Sequence, residues 1–251
     1  MFAEERQNEI VRKVNDEGSV RVKELSEYFQ VTEDCIRKDL TFLEKQGLLK
    51  KAYGGAVKIK ANPHLYKSSD RKSLPHQKER EIIAKKAISL IHEDDTIFLD
   101  VSLSCLELAK LLVNEKKHVT VITNMIDILS VLSHSQHNLI FIGGQLNQEK
   151  DGFCGSLSID LLKRFKIDKA FLGTVGIDIN KQQLSTYHID DGMMKSAVIA
   201  QSQLTYVLSE SKKRDEYGNY IYASFQDIDG IVLDEVVDEM KSLEDEGIHV
   251  Y

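Results

Sequence analysis

Residues 31–56 read VTEDCIRKDLTFLEKQGLLKKAYGGA, and their pattern decides how the first part of the chain folds. Thr32 is a good helix N-cap, and Glu33 and Asp34 suit the positive end of a helix dipole. No capping box is completed, because Cys35 stands where Glu or Gln would be needed. Ile36, Leu40 and Leu43 recur at helical spacing and must face a core, which leaves Arg37, Lys38 and Thr41 on other faces. Gly47 ends this helix. Leu48–Tyr53 and Ala56–Ile59 then read as two strands joined through Gly54-Gly55.

The residues upstream complete a three-helix unit. Residues 3–15 carry Ile10, Val11 and Val14 on a polar background, an amphipathic helix closed by Asn15 and Gly18. Val20 and Val22 flank Arg21 in a short extended piece. A second helix, Lys23–Phe29, turns Leu25, Tyr28 and Phe29 inward, and Gln30 and Val31 make a tight turn. Three helices followed by a basic hairpin form a winged helix-turn-helix. Such a unit docks its third helix in the major groove of double-stranded DNA while the wing reaches the adjacent backbone. The candidate DNA contacts are Arg21, Thr32, Cys35, Arg37, Lys38, Thr41, Lys50, Lys51 and Tyr53. The same pattern also suits a winged helix that binds protein.

Charge is distributed accordingly. The whole chain of 251 residues carries −7. Residues 1–60 hold 12 Lys/Arg against 11 Asp/Glu, whereas the remainder holds 21 against 29. Within 33–60 the basic residues number seven (Arg37, Lys38, Lys45, Lys50, Lys51, Lys58, Lys60) against four acidic. A local positive patch on an acidic chain fits a DNA-contacting module joined to an acidic partner domain. Cys35, Cys105 and Cys154 have no paired spacing, so neither a disulfide framework nor a zinc site is indicated, and no cofactor is expected. The absence of a signal-like N-terminus or an apolar run of spanning length gives a cytoplasmic expectation, with no membrane partner.

Residues 61–76, which contain both prolines, read as a linker. An amphipathic helix over 77–92 is built around Ile82, Ile83, Ala84, Ala87, Ile88 and Ile91. Short apolar runs follow at Thr96–Asp100, Val119–Thr123, Leu139–Ile142, Lys169–Gly173, Thr205–Leu208 and Gly230–Leu233. Helical patterns near 103–113, 125–134, 156–165, 190–202 and 236–246 separate them. Continuous apolar strands between helices predict an α/β fold with a parallel sheet buried on both faces. Ligands bind such sheets beyond the carboxyl ends of the strands. Asp100, Ser102, Ser104, Cys105, Thr123, Asn124, Gly143, Gly144, Lys195 and Lys213 fall at or near those ends, a composition suited to an anion pocket.

The chain resembles the DeoR-type bacterial repressors along its whole length. Those proteins open on an ER…I pair and carry a V-S-x-x-T-I-R-R-D-L helix and a G-x-L-x-R-x-H-G-G-A wing. Here the helix reads Val31 to Leu40 as VTEDCIRKDL, and Gly47 to Ala56 forms the wing. Cys35 stands for a threonine, and Lys38 and Lys51 for arginines; lysine keeps the charge but loses the bidentate fork that reads guanine. The resemblance implies that 77–251 is an effector-sensing and oligomerisation domain, related in fold to ribose-phosphate isomerases. It also implies a phosphorylated sugar effector lined by Asp100, Ser104, Thr123, Asn124, Gly143, Gly144, Lys195 and Lys213. TIFLD, ITN, FIGG, DKAFLG-x-x-GID, Lys195 and Ser211–Lys213 come in the family's order. Departures gather at the pocket. Asp100-Val101-Ser102-Leu103-Ser104 replaces D-x-G-[ST]-T, Met125 replaces a serine, Gln183 a glycine, and Glu210 the aspartate of D-S-S-K. A repressor of a carbohydrate operon, acting as a homo-oligomer, is the leading expectation, with no enzymatic activity. A regulator without an effector is the second reading. A sugar-phosphate isomerase-like enzyme with Asp100 as base, or less readily His188 or Asp191, is the third.

Overall fold

The structure, a computed structural model, describes residues 3–45, 48–57, 76–236, 243–244 and 247–251. Gly47, Lys58 and Lys60, the body of the expected linker and most of the expected 236–246 helix lie outside the described residues, as does the Lys45 side chain. Contacts divide the chain into two compact units, Met1–Tyr66 and Lys67–Tyr251.

In the first unit, helices α1 (Ala3–Glu17), α2 (Val22–Phe29) and α3 (Glu33–Lys45) alternate with β1 (Ser19–Arg21), and β2 (Lys50–Ala52) and β3 (Gly55–Val57) follow. Ile10, Val14, Leu25, Phe29, Ile36, Leu40 and Leu43 close over one another, joined by Leu49 and Ala56. Between α2 and α3 the chain reverses at Gln30, which adopts left-handed backbone (φ 53°) while Val31 N–H donates back to the Ser26 carbonyl. That closure satisfies the last carbonyls of α2.

Three expectations need correction here. Tyr28 is exposed rather than inward; its ring packs edge-on against Phe29 and beneath the Lys13 ammonium. Val22 belongs to α2, not to the extended piece. The hairpin turns through Tyr53-Gly54, since Ala52 pairs with Gly55. Gly54 supplies the positive φ (75°), whereas Gly55 lies against β1, where a Cβ would sit 2.0 Å from the Val20 carbonyl oxygen. β1 pairs antiparallel with β3, so the wing is a three-stranded sheet in the order β1-β3-β2.

The second unit begins with α4 (Gln77–Ala87) and a 3-10 turn at Ile88–Leu90. Alternation then runs β4 (Thr96–Leu99), α5 (Leu103–Leu112), β5 (Thr120–Thr123), α6 (Ile126–Leu132) and β6 (Asn138–Phe141). A small hairpin, β7 (Gln145–Leu146) and β8 (Phe153–Cys154), precedes α7 (Ser156–Leu162) and β9 (Ile167–Gly173). Next come β10 (Gly176–Asp178), β11 (Gln183–Thr186), α8 (Ile189–Gln201), β12 (Ser202–Ser209), β13 (Tyr220–Ser224), β14 (Gly230–Leu233) and β15 (His249–Val250).

Seven parallel strands form one sheet in the order β15-β14-β12-β9-β4-β5-β6. Successive strand residues serve opposite cores, as a pleated sheet requires. Ile97, Leu99, Phe171, Tyr206 and Leu208 join α4, α5 and α6, while Phe98, Ala170, Leu172 and Val207 join α7 and α8. β10, β11 and β13 make a separate antiparallel sheet that the periodicity did not foretell. Ile82 is another correction: it is exposed on α4, whose buried side is Arg80, Ile83, Ala84 and Ala87.

The strand order sets up the site. From β4 the chain moves outward through β5 and β6, then returns to place β9 on the other side of β4. The loops leaving β4 and β9 therefore diverge, and a crevice opens between them at the carboxyl edge of the sheet.

Candidate functional site

On the first unit, the exposed side of α3 and the wing carry most of the expected DNA contacts. Thr32 caps α3, its Oγ1 accepting from Cys35 N–H at 3.3 Å. Arg37 is engaged along its own helix, donating to Glu33 at 2.6 Å and Asp34 at 2.8 Å. Lys51 Nζ donates to Thr41 Oγ1 at 2.9 Å, and its backbone N–H to Glu44 at 2.8 Å, which pins the wing against α3. Lys38, Lys50 and Arg21 are exposed, Cys35 and Thr41 half-buried, and Tyr53 stands wholly in solvent. Beneath this surface Asp39 is buried, taking Arg6 Nε at 2.6 Å and Gln7 at 2.8 Å. That bridge ties α1 to α3 at its middle. Its partners are more than 30 residues apart in the chain, so no local spacing announces it.

On the second unit, a cleft of about 190 Å³ lies over the β4–β9 crevice. Ser102, Leu103 and Ser104 reach it from the start of α5, and Gly173, Thr174 and Val175 from the end of β9. Ser102 Oγ caps α5 by accepting from Cys105 N–H at 3.1 Å, so the positive end of that helix faces the cleft. Gly173 is required there: a Cβ would fall 2.4 Å from Ser102 Cβ.

Charge on the cleft is strong and internally matched. Lys195 is buried and pairs with Asp100 and, at 3.2 Å, with Asp191. Burial works against the Lys195 charge, but Asp100 and Asp191 outweigh it and hold the ammonium above its ordinary value. Burial pushes the Asp100 carboxyl up, against the pull of Lys195. Glu210, following β12, accepts from Lys213 at 2.7 Å and from Arg80 at 3.3 Å. These partners overcome burial and bring Glu210 down to about 2. Asp191 also accepts from Thr186 at 2.6 Å, and Lys213 donates to the Thr174 carbonyl at 3.1 Å.

Of the ten expected pocket residues, the structure brings Ser102, Ser104, Lys195 and Lys213 to the cleft wall, with Asp100 beneath Lys195. The other five lie elsewhere. Thr123 Oγ1 is spent on the Leu99 carbonyl at 2.7 Å, and Asn124 donates to the Phe153 carbonyl at 2.7 Å. Gly144 allows close packing of α7, whose Ser158 hydroxyl sits where a Gly144 Cβ would be and donates to the Gly143 carbonyl at 2.9 Å. Cys105 is fully buried against the Phe171 carbonyl, and burial pushes its thiol up to about 12. Arg80, Thr174, Thr186, Asp191 and Glu210 were not among the expected contacts, although they line the cleft. Arg80 could have been noticed as the one charged residue on the apolar side of α4.

The geometry disfavours proton abstraction. Asp100 is held between Lys195 and the Gly173 N–H rather than facing the cleft, and Asp191 is engaged by both Thr186 and Lys195. A base needs its carboxylate within reach of bound substrate. The cations of the cleft are instead paired with carboxylates, Lys195 with Asp100 and Asp191, and Arg80 and Lys213 with Glu210.

The DeoR-like helix-turn-helix domain matches residues 6–62, and the DeoR C-terminal sensor domain matches residues 75–235. The chain belongs to the DeoR family. Among similar proteins of this family, the uncharacterized HTH-type transcriptional regulator YulB of Bacillus subtilis is 33% identical over all of this chain and 96% of its own length. The lactose phosphotransferase system repressor of Lactococcus lactis is 28% identical, covering 93% of this chain and 92% of its own. Among solved structures, ribose 5-phosphate isomerase A from Methanocaldococcus jannaschii overlays 55% of each chain at 15% identity and a TM-score of 0.43. This DeoR-family chain is thus a DNA-binding transcription regulator with a sensor domain. Among the described residues, no helix is long and apolar enough to cross a membrane, and no cluster of three or more His, Cys, Asp or Glu could hold a metal ion.

Proposed function

We propose that this protein is a cytoplasmic repressor of a carbohydrate operon. It binds double-stranded operator DNA as a homo-oligomer through residues 1–60. Residues 61–76 link that domain to an effector-sensing and oligomerisation domain at 77–251, which responds to a phosphorylated sugar. The observation that carries the effector reading is the convergence of Arg80, Lys195 and Lys213 with the start of α5 on one cleft. Three cations and a helix N-terminus suit a phosphate, and Ser102, Ser104 and Thr186 suit hydroxyls. The relative named for the lactose phosphotransferase system supports a sugar-linked role.

In this reading Arg37, Lys38 and Thr41 enter the groove, while Arg21, Lys50, Lys51 and Tyr53 meet the backbone, with Thr32 and Cys35 at the start of the recognition helix. Arg37 must leave Glu33 and Asp34 to do so, an inexpensive exchange for exposed pairs. Titration calorimetry of the full chain with pentose and hexose phosphates tests the effector half. Saturable heat that Lys213→Ala abolishes supports it; no heat from any member of the panel would favour a regulator without a small-molecule effector.

A further inference from the structure

The buried side of α3 is not wholly apolar. Ile36, Leu40 and Leu43 share a core with Ile10 and Val14 of α1, and beside them lies the carboxylate of Asp39, 5% exposed. Arg6 Nε donates to one Asp39 oxygen at 2.6 Å and Gln7 Nε2 to the other at 2.8 Å. Stability does not account for a charge there. Taking two charges out of water costs about what their attraction returns, and apolar side chains of similar volume often do as well or better. What the bridge adds is direction. Apolar contact is non-directional and lets packed helices slide or turn. Two short hydrogen bonds from consecutive residues of α1, one to each oxygen of a single carboxylate, fix how α3 is rotated about its axis.

We infer that Arg6, Gln7 and Asp39 are positioning residues for DNA readout, holding α3 in the rotation that aims Lys38 and Thr41 at base edges. Lys38 precedes Asp39 in the chain and Thr41 follows two residues later, and both leave α3 on its solvent side. Side-chain tips lie about 6 Å from a helix axis, so a turn of about 20° carries them about 2 Å. Hydrogen-bond lengths span only about 0.5 Å, so a bond to a base edge does not survive that shift. Phosphate contacts do survive it. Arg21, Lys50 and Lys51 are exposed cations on long stems, able to follow a backbone whose charge recurs along the duplex. Loss of the bridge therefore removes sequence preference and spares general affinity for DNA.

This role rests on sequence readout by α3, and fluorescence anisotropy of the full chain separates the two. Affinity is measured on a duplex selected from a random pool and on a scrambled duplex of the same composition. Arg6→Met with Asp39→Leu should keep the wild-type circular dichroism and melting temperature. It should bind the scrambled duplex within twofold of wild type and the selected one at least tenfold more weakly. Gln7→Met leaves the ion pair in place, should lower the preference about threefold, and decides the matter if the double variant does not fold. A folded double variant with the wild-type preference, or one that loses both duplexes alike, would overturn the positioning role. So would an unchanged Gln7→Met should the double variant unfold. A wild type without preference for the selected duplex would overturn readout by α3 together with this inference.

Discussion

At the residue scale, the cleft is governed by a few buried charges whose pairing sets their worth. Glu210 falls from an ordinary 4.5 to about 2 in the folded chain. A depressed carboxyl contributes stability above its unfolded value and loses it as pH falls toward the folded one. The stability difference between wild type and Glu210→Gln should therefore shrink by about 2 kcal/mol between roughly pH 6 and pH 3. Urea denaturation across that range checks it, and a pH-independent difference would count against the Arg80–Glu210–Lys213 cluster. Lys195→Met should cost about 3–5 kcal/mol because it strands Asp100 in the interior, whereas adding Asp100→Leu should recover most of the loss. A double-mutant cycle by urea denaturation reads this directly; additive losses would contradict a coupled pair.

At the scale of elements, the wing provides a sharp contrast. Gly55→Ala should destabilise the first unit by roughly 2 kcal/mol or more, since the new Cβ meets the Val20 backbone. Gly54→Ala should cost about 1 kcal/mol, the price of left-handed backbone in open space. Melting of the two variants tests the Tyr53-Gly54 turn; equal losses would refute it. The helices and the parallel strands were legible because their apolar periods run for four residues or more. The β10-β11-β13 sheet was not, being made of three- to five-residue strands whose pairing depends on distant chain. The turn slipped by one residue because a Gly-Gly pair does not reveal which glycine needs the positive φ and which needs the room.

At the scale of the whole molecule, strand order decides which strand ends share a ligand, and order is not written in local periodicity. Every expected pocket residue was a small or charged group near a strand end or on a nearby helix. Those that reach the cleft come from the start of α5, from α8 and from the segment after β12, whereas Thr123 ends β5, Asn124 follows it, and Gly143 and Gly144 follow β6, on the far side of β4. Arg80 and Glu210 meet across 130 residues, a partnership no sequence window contains. The same separation underlies the proposed switch, in which the output surface and the cleft belong to different units of the chain. Arg37→Ala with Lys38→Ala should abolish operator binding while costing less than about 1 kcal/mol of stability, because the Arg37 pairs are exposed. Gel shift beside a thermal melt checks both halves, and retained binding would remove α3 from the groove.

The central claim is that ligand in the cleft changes DNA affinity. It is tested most directly by fluorescence anisotropy of the full chain on a duplex it selects from a random pool, with and without each of a panel of pentose and hexose phosphates. At least one phosphosugar should change the dissociation constant about tenfold, a coupling of about 1.4 kcal/mol, and Lys213→Ala should remove the response. An affinity unchanged by every member of the panel would contradict the account.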